Sequence, residues 1–298
     1  MKSNILYILI ILFHLYGCKQ WQEHRLDITE GLLLDLNADA EVKVVSDSLV
    51  ISWRNQVSNA ASKDYIYTDA GRTIPGSGRP LLNKNAEGLN GHSSIIFRED
   101  ELINDNDNAF HGLITGKGYT WMVIIKPYKQ ERGGGNYPQA FFGCLRNSAP
   151  PQNEEGQFAG FWGSFYIDGK VWMSSRSGEG EFSRGGYTTP EVVGPYLPIN
   201  KWYIVSGRQA AGGPGTTVDL ELFVDDPSKP IATGKYPVSS WEPSRMAIGT
   251  ERNAINHQGG ESFDGELARI LIYDRPVSSQ EMEAIFNYLK LEYGILEK

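Results

Sequence analysis

Short runs rich in β-branched and aromatic residues recur along most of the chain, and turn signals separate nearly all of them. GLLLDLNA (31–38), LVISW (49–53), SSIIF (93–97), YTWMVIIKP (119–127) and AFFGCLR (140–146) come first. FAGFWGSFYI (158–167), KVWMSSR (170–176), KWYIVSGR (201–208), TVDLELFVD (217–225), RMAIG (245–249) and ELARILIYD (266–274) follow. Runs this short suit strands, and regularly spaced short strands with turns between them predict an all-β sandwich. The 33 Gly and 15 Pro among 298 residues supply the turns, and 15 Tyr, 12 Phe and 7 Trp supply bulky core. No internal repeat and no second composition regime breaks the pattern, so one domain is the simplest organisation.

One helix is expected, at the end. Ser278-Ser279-Gln280-Glu281 fits a capping box, in which Glu281 reaches back to the Ser278 amide. Met282, Ile285, Phe286 and Leu289 follow at helical spacing, and Gly294 stands where a left-handed cap belongs. This helix is expected to pack on the sandwich and to be structural.

The N-terminus reads as an export signal. MKSN carries one positive charge, and the apolar run ILYILIILFHLY has 12 residues, too short for the roughly 20 that span a bilayer as a helix. Leu15-Tyr16-Gly17-Cys18 resembles a bacterial lipobox, with Tyr16 departing from the usual small residue. Residues 1–17 are thus expected to be a lipoprotein signal peptide, with lipidation at Cys18 and a polar tether over 18–28. The folded domain is expected over 29–298. An ordinary secretory signal with an incidental cysteine is the alternative. Lys19 replaces the Asp that signals inner-membrane retention in some bacteria, so an outer-membrane anchor is expected. With Cys18 acylated, Cys144 is left alone and no intrachain disulfide forms. Loss of residues 1–17 moves the formal charge from −8 to −9. An acidic exported domain without a basic run is a poor partner for nucleic acid.

Several segments resemble the laminin G-like, concanavalin A-type domains of bacteria. GLLLDLNADAEV followed by VISWRNQVSNAAS is similar to their opening strands, with Asn55 and Val57 replacing an Asp and a Ser of the family pattern. GLNGHSSIIF resembles a further strand, and FDGELARILIYDRPVSSQEMEAIFNYLKLEYG resembles the closing strand and helix. The resemblance covers about residues 29–298. It implies a two-sheet jelly-roll sandwich, of the concanavalin A-like lectin and glucanase type, whose concave sheet or rim loops bind carbohydrate. Fold alone does not fix activity.

The residues themselves narrow the chemistry. Asp219 and Glu221 share one face of TVDLELFVD, but they lack the acid pattern of the family's glucanases, so a solvated outer face is the better reading. Asn104-Asp105-Asn106-Asp107-Asn108 offers oxygen ligands without the glycine of an EF-hand loop. No cofactor is therefore expected, with a structural calcium as the alternative. His24, His92, His111 and His257 show no paired zinc spacing. Cys144, in mid-strand, reads as a buried thiol.

The remaining candidates suit an acidic sugar. Alternation puts Trp172, Ser174 and Arg176 on one face of KVWMSSR, with Val171, Met173 and Ser175 on the core side. Trp172 is the expected sugar platform, and Arg176 the fork for a carboxylate or sulfate. Arg146, Arg184, Arg208 and His257 are further binding candidates. Elimination from a uronic acid needs a cation on the carboxylate, a base for the C5 proton and an acid for the leaving group. Arg176, His111 and Tyr187 have the right chemistry. The expected function is a surface-anchored carbon–oxygen lyase in polysaccharide degradation, acting by β-elimination or dehydration on uronic-acid-containing poly- or oligosaccharide. A non-catalytic glycan-binding lipoprotein and a structural adhesion domain that binds protein are the alternatives.

Overall fold

The computed structural model describes residues 25–68, 79–131, 138–146, 158–178, 191–251 and 261–295. Within them the chain forms 17 strands and a C-terminal α-helix. The first seven strands are β1 (Leu32–Asn37), β2 (Val42–Val45), β3 (Leu49–Arg54), β4 (Asp64–Tyr67), β5 (Leu81–Asn83), β6 (Ser94–Arg98) and β7 (Leu102–Ile103). A π-helical turn at Leu113–Lys117 leads into β8 (Tyr119–Pro127), β9 (Gln139–Gly143), β10 (Gly160–Phe165), β11 (Lys170–Arg176) and β12 (Glu191–Tyr196). The rest are β13 (Tyr203–Gln209), β14 (Thr217–Val224), β15 (Ala232–Pro237), β16 (Ala247–Ile248), β17 (Asp264–Tyr273) and helix α1 (Ser279–Tyr293).

All named strand pairs are antiparallel. One array runs β1-β17-β8-β13-β14-β15. A second runs β12-β11-β10-β9-β16-β7-β4-β3-β2. The arrays are not separate sheets. β5 pairs with both β3 and β6, and β6 with β17, so the ladders run through as one sheet curled on itself. The expected all-β architecture with a terminal helix is present, and this continuity is a feature that the sequence reading lacked.

The core lies between the inner faces of the two arrays. Trp121, Val123 and Ile125 of β8, with Ile270 and Ile272 of β17, meet Phe141, Phe142, Phe161 and Phe165 of β9 and β10. The Trp121 ring packs edge-on to Phe141 at 5.7 Å and to Phe142 at 5.3 Å. It also lies flat across its ladder partner Gly207, where an added Cβ would sit 2.4 Å from the indole. Only glycine leaves room for that ring. Opposite strand alternation sends Met122 and Ile124 of β8 outward, with Trp202, Ile204 and Leu271. There they meet Met282, Ile285, Phe286 and Leu289 of α1.

Two polar devices hold the outer layer. Arg269 of β17 grips Asp35 of β1 with two bonds of 2.8 Å and donates to the Tyr288 hydroxyl of α1 at 2.6 Å. Ser278 caps α1 by accepting from the Glu281 amide, and the Glu281 carboxylate accepts from the Ser278 amide at 2.8 Å. Gly294 closes the helix in the left-handed region at φ 67°. Arg275 also forks onto Glu281, at 2.8 and 2.7 Å. That guanidinium, with the Ser278 amide, lowers the Glu281 carboxyl from 4.5 to about 2. No helix among the described residues is long and apolar enough to cross a membrane.

Ser278→Ala should lower the unfolding free energy by about 1 kcal/mol, measured by chemical denaturation. Because its carboxyl is depressed in the fold, Glu281 stabilises above pH 4.5, and this contribution fades as pH falls towards about 2. Glu281→Ala should therefore cost stability at neutral pH, with the difference from wild type shrinking through that window. Gly207→Ala should cost about 1–3 kcal/mol by overpacking against Trp121.

Candidate functional site

The outer face of β10 and β11 carries the residues of interest. As the alternation required, Val171 and Met173 enter the core, and the Ser175 hydroxyl bonds the Tyr119 hydroxyl at 2.6 Å. Trp162, Trp172 and Leu145 form a separate cluster on the opposite side, with Tyr166 packed against it. Trp172 was expected as an open platform. Instead it is only 3% exposed, stacks on Tyr166 at 4.7 Å, and meets Trp162 edge-on at 5.5 Å. It packs within that cluster beside Leu145, and the indole face is not free for a sugar ring.

Arg176, at the end of β11, lies over Trp162 with its guanidinium carbon 5.1 Å from the ring centroid. It is also 5.8 Å from the Phe158 ring. Arg146 is exposed and lies 5.3 Å over Trp241. Backbone bonds bring these two arginines to one end of the sheet: Arg146 donates to Ala159 O at 2.8 Å, and Gly160 is the ladder partner of Arg176. The Ser239 hydroxyl joins Ser177 O and Trp241 O, at 2.8 and 2.7 Å. Glu242, next to Trp241, accepts from the Gly112 amide at 2.7 Å. Exposed His111 therefore sits on the same rim as Arg146 and Arg176.

Two acids join this face without having been anticipated. Thr250 and Ser262 form an antiparallel bridge, and beside it Glu251 N donates to Glu261 O at 3.3 Å. Glu251 and Glu261 are 5% and 6% exposed. Burial raises the Glu261 carboxyl above its ordinary range, against a hydrogen bond with Glu251 and the charge of Arg176, which pull it down. Glu261 Oε2 has no hydrogen-bond partner among the described residues. A buried acid next to a second acid and a guanidinium is a group suited to holding and releasing a proton. The sequence signal was weak: one glutamate on each side of the glycine-containing stretch 252–260.

The other candidates separate from this face. Arg208 faces α1, not Arg176. It pairs with Glu221 at 2.7 Å and donates to Val277 O at 2.8 Å, fastening β13 to the chain entering the helix. Arg208 was expected to bind substrate; in the fold its donors meet Glu221 and the Val277 carbonyl. Asp219 points the same way as Glu221 and pairs with Lys235 at the surface. In the run 104–108, Asn104 and Asn106 accept from the amides of Asn106 and Asn108, while Asp105 and Asp107 face Arg245. Among the described residues no group of three His, Cys, Asp or Glu side chains gathers as a metal site. Cys144 is fully buried, its thiol donates to Phe161 O at 3.5 Å, and burial pushes it well above the ordinary thiol range. Cys18, Arg184, Tyr187 and His257 lie outside the described residues.

No protein-family model matches the chain, and no curated protein matches it. Solved structures do align with it at low identity. A sialidase from Trypanosoma rangeli in complex with sialic acid aligns at 15% identity with a TM-score of 0.47, over 88% of this chain and 33% of that one. Domain 4 of AbnA, a GH43 extracellular arabinanase from Geobacillus stearothermophilus, in complex with arabinotriose, aligns at 14% and 0.41, over 85% and 97%. The CBM40 of the Ruminococcus gnavus IT-sialidase, bound to α2,3-sialyllactose, aligns at 16% and 0.38, over 58% and 85%.

Glu261 carries a pH signature. With its folded carboxyl above 4.5, the unfolded chain ionises first as pH rises, so stability falls above that value. Glu261→Gln should be more stable than wild type above it and equal below it. Denaturation midpoints on both sides of that pH check the sign, and no pH dependence in the difference would refute it.

Proposed function

We propose that this chain is an exported, lipid-anchored, carbohydrate-active protein of the concanavalin A-like jelly-roll type. In this reading Cys18 carries the lipid, the outer membrane holds the anchor, and the face beside Arg176 takes an acidic glycan. The reaction is carbon–oxygen elimination on a uronic acid. The observation that carries it is the approach of the Arg176 charge to the buried Glu251–Glu261 acid pair, on a face walled by Trp162.

The chemistry follows from these parts. Arg176, with Arg146 on the same rim, binds the uronate carboxylate and stabilises the charge that develops on it when the C5 proton leaves. A base, His111 or Tyr187, takes that proton. The C5–H electron pair becomes the C4–C5 double bond as the C4–O bond breaks. Glu261, whose proton burial holds more tightly than in water, gives that proton to the departing oxygen. A glycosidic oxygen at C4 gives chain cleavage; a hydroxyl there gives dehydration.

One observation favours the non-catalytic reading. No hydrogen bond or ion pair with a described residue orients the exposed His111 ring. A glycan-binding lipoprotein would need the arginines and not the base.

Incubation with uronate glycans distinguishes the two. Elimination across C4–C5 creates an unsaturated uronate whether a glycosidic oxygen or a hydroxyl departs, so both outcomes raise the ultraviolet absorbance, and only chain cleavage shortens the glycan. Arg176→Ala should reduce turnover by more than about tenfold. Retained glycan binding without any absorbance change leaves the binding protein, and absence of both leaves an adhesion domain.

A further inference from the structure

A groove of about 1460 Å³ opens on the side of the curled sheet that carries α1, away from Arg176. It lies where the C-terminal end of α1 meets the ends of β6 and β8. Arg98, Lys126, Lys129, Lys201 and Lys290 line it. Five cations around one groove stand out in a chain with a formal charge of −8.

The groove is built, not incidental. Glu266 is 2% exposed and receives Lys126 Nζ at 2.8 Å, Tyr128 OH at 2.7 Å and Asn83 Nδ2 at 3.0 Å, with the Ser94 hydroxyl as a fourth donor. This buried carboxylate fixes Lys126 and Tyr128 in place at the groove wall. Lys126 lies 5.5 Å over the Trp202 ring. Arg98 stacks on Tyr128 at 4.8 Å, and no described carboxylate pairs with its guanidinium. Among the described residues Lys201 rests only on the Tyr203 ring, at 5.0 Å. Four acids share the lining, and Arg98 and Lys201 are the cations of the set for which no described carboxylate is a partner. Asp225 is turned inward to the Ile204 amide, Asp264 is 4% exposed, and Glu131 engages Lys129 alone. Glu87 stands at the rim and offers its carbonyl to Trp202.

Small-molecule pockets run to about 300–1,000 Å³. A larger open groove with charges spread along it suits a chain of anionic groups better than one small anion. We propose that this groove is a second glycan site, which holds the carboxylate or sulfate groups of an acidic polysaccharide on Arg98 and Lys201, with Lys129 beside them exchanging its Glu131 partner for the ligand. Lys126 and Tyr128 are positioned by Glu266 to complete it. The ligand class rests on the acidic-glycan reading above, but no step of the elimination does. Such a site keeps a polymer at the protein surface while another stretch of it occupies the face beside Arg176.

The test uses the mature full chain, titrated by calorimetry with a sulfated hexasaccharide, a polygalacturonate hexasaccharide and a neutral hexasaccharide, at low and high salt. Wild type should bind an anionic probe, more weakly at high salt. Lys129→Glu combined with Lys201→Glu should weaken binding at least about tenfold and flatten the salt dependence. Both side chains are exposed, so the fold should survive, and Arg98→Ala provides an independent variant. Arg176→Ala should retain groove binding within about twofold. Equal binding of the neutral probe, no binding of either anionic probe, or unchanged affinity in the charge reversals overturns the proposal. Loss of binding in Arg176→Ala alone also overturns it and leaves the first face as the glycan site. Groove binding without turnover instead removes the elimination reading and keeps the groove.

Discussion

The contact between Trp121 and Gly207 sets the geometry on which the rest depends. An indole laid flat on a glycine of the neighbouring strand projects its edge across the interior to Phe141 and Phe142. Those two phenylalanines sit at an irregularity in the β9–β10 ladder, where consecutive residues both turn inward. Gly163 makes the matching concession from the other array, since an added Cβ would meet the Phe141 ring at 2.3 Å. The two halves of the sheet are thereby keyed to each other at fixed register. That register decides that Arg176 and Trp162 point outward while Met173 and Phe161 point in.

Much of this was legible from patterning, and the failures have physical causes. β8 and β11 match the expected segments residue for residue, because dense β-branched and aromatic runs leave one way to bury themselves. The Ser278 cap, the Glu281 reach and the Gly294 stop are local chemistry, and they appear where local reading put them. β12, with its internal Gly194 and Pro195, and β15, with Gly234 and Lys235, carry no such signal. Residues like these are tolerated where a strand is partly exposed, so pairing creates the strand and propensity does not. The closing role of β5 rests on three residues that pair with two different strands, which no single window of sequence reveals.

For the candidate site, residue type was legible and environment was not. Alternation placed Trp172 and Arg176 on one face, but it is silent on what lies over that face. Tyr166 and Trp162 occupy the Trp172 ring, and the Arg176 guanidinium lies over Trp162. Arg208 shares the strand-end position of Arg176 and differs only in which array it belongs to, and there Glu221 and the helix entry use its donors. Glu251 and Glu261 are ten positions apart, and a bridge between distant backbone atoms makes them neighbours. Separation along the chain hides a pair of this kind unless the strand register is known. The two outer faces therefore divide the work: one is closed by a capped helix and a buried carboxylate network, and the other gathers arginine and acid around an indole.

The burial of Cys144 has a use of its own. Its sulfur lies where the β9 segment meets β10, and its only described donor contact is a backbone carbonyl across that seam. A thiol in that position reacts with an alkylating reagent only during moments when the seam parts, so its labelling rate is a clock for local opening. The residues that part with it include the backbone next to Arg146 and Gly160. The molecule thus carries a native chemical probe of breathing at the very strands that bear its arginines, with no foreign label to perturb them.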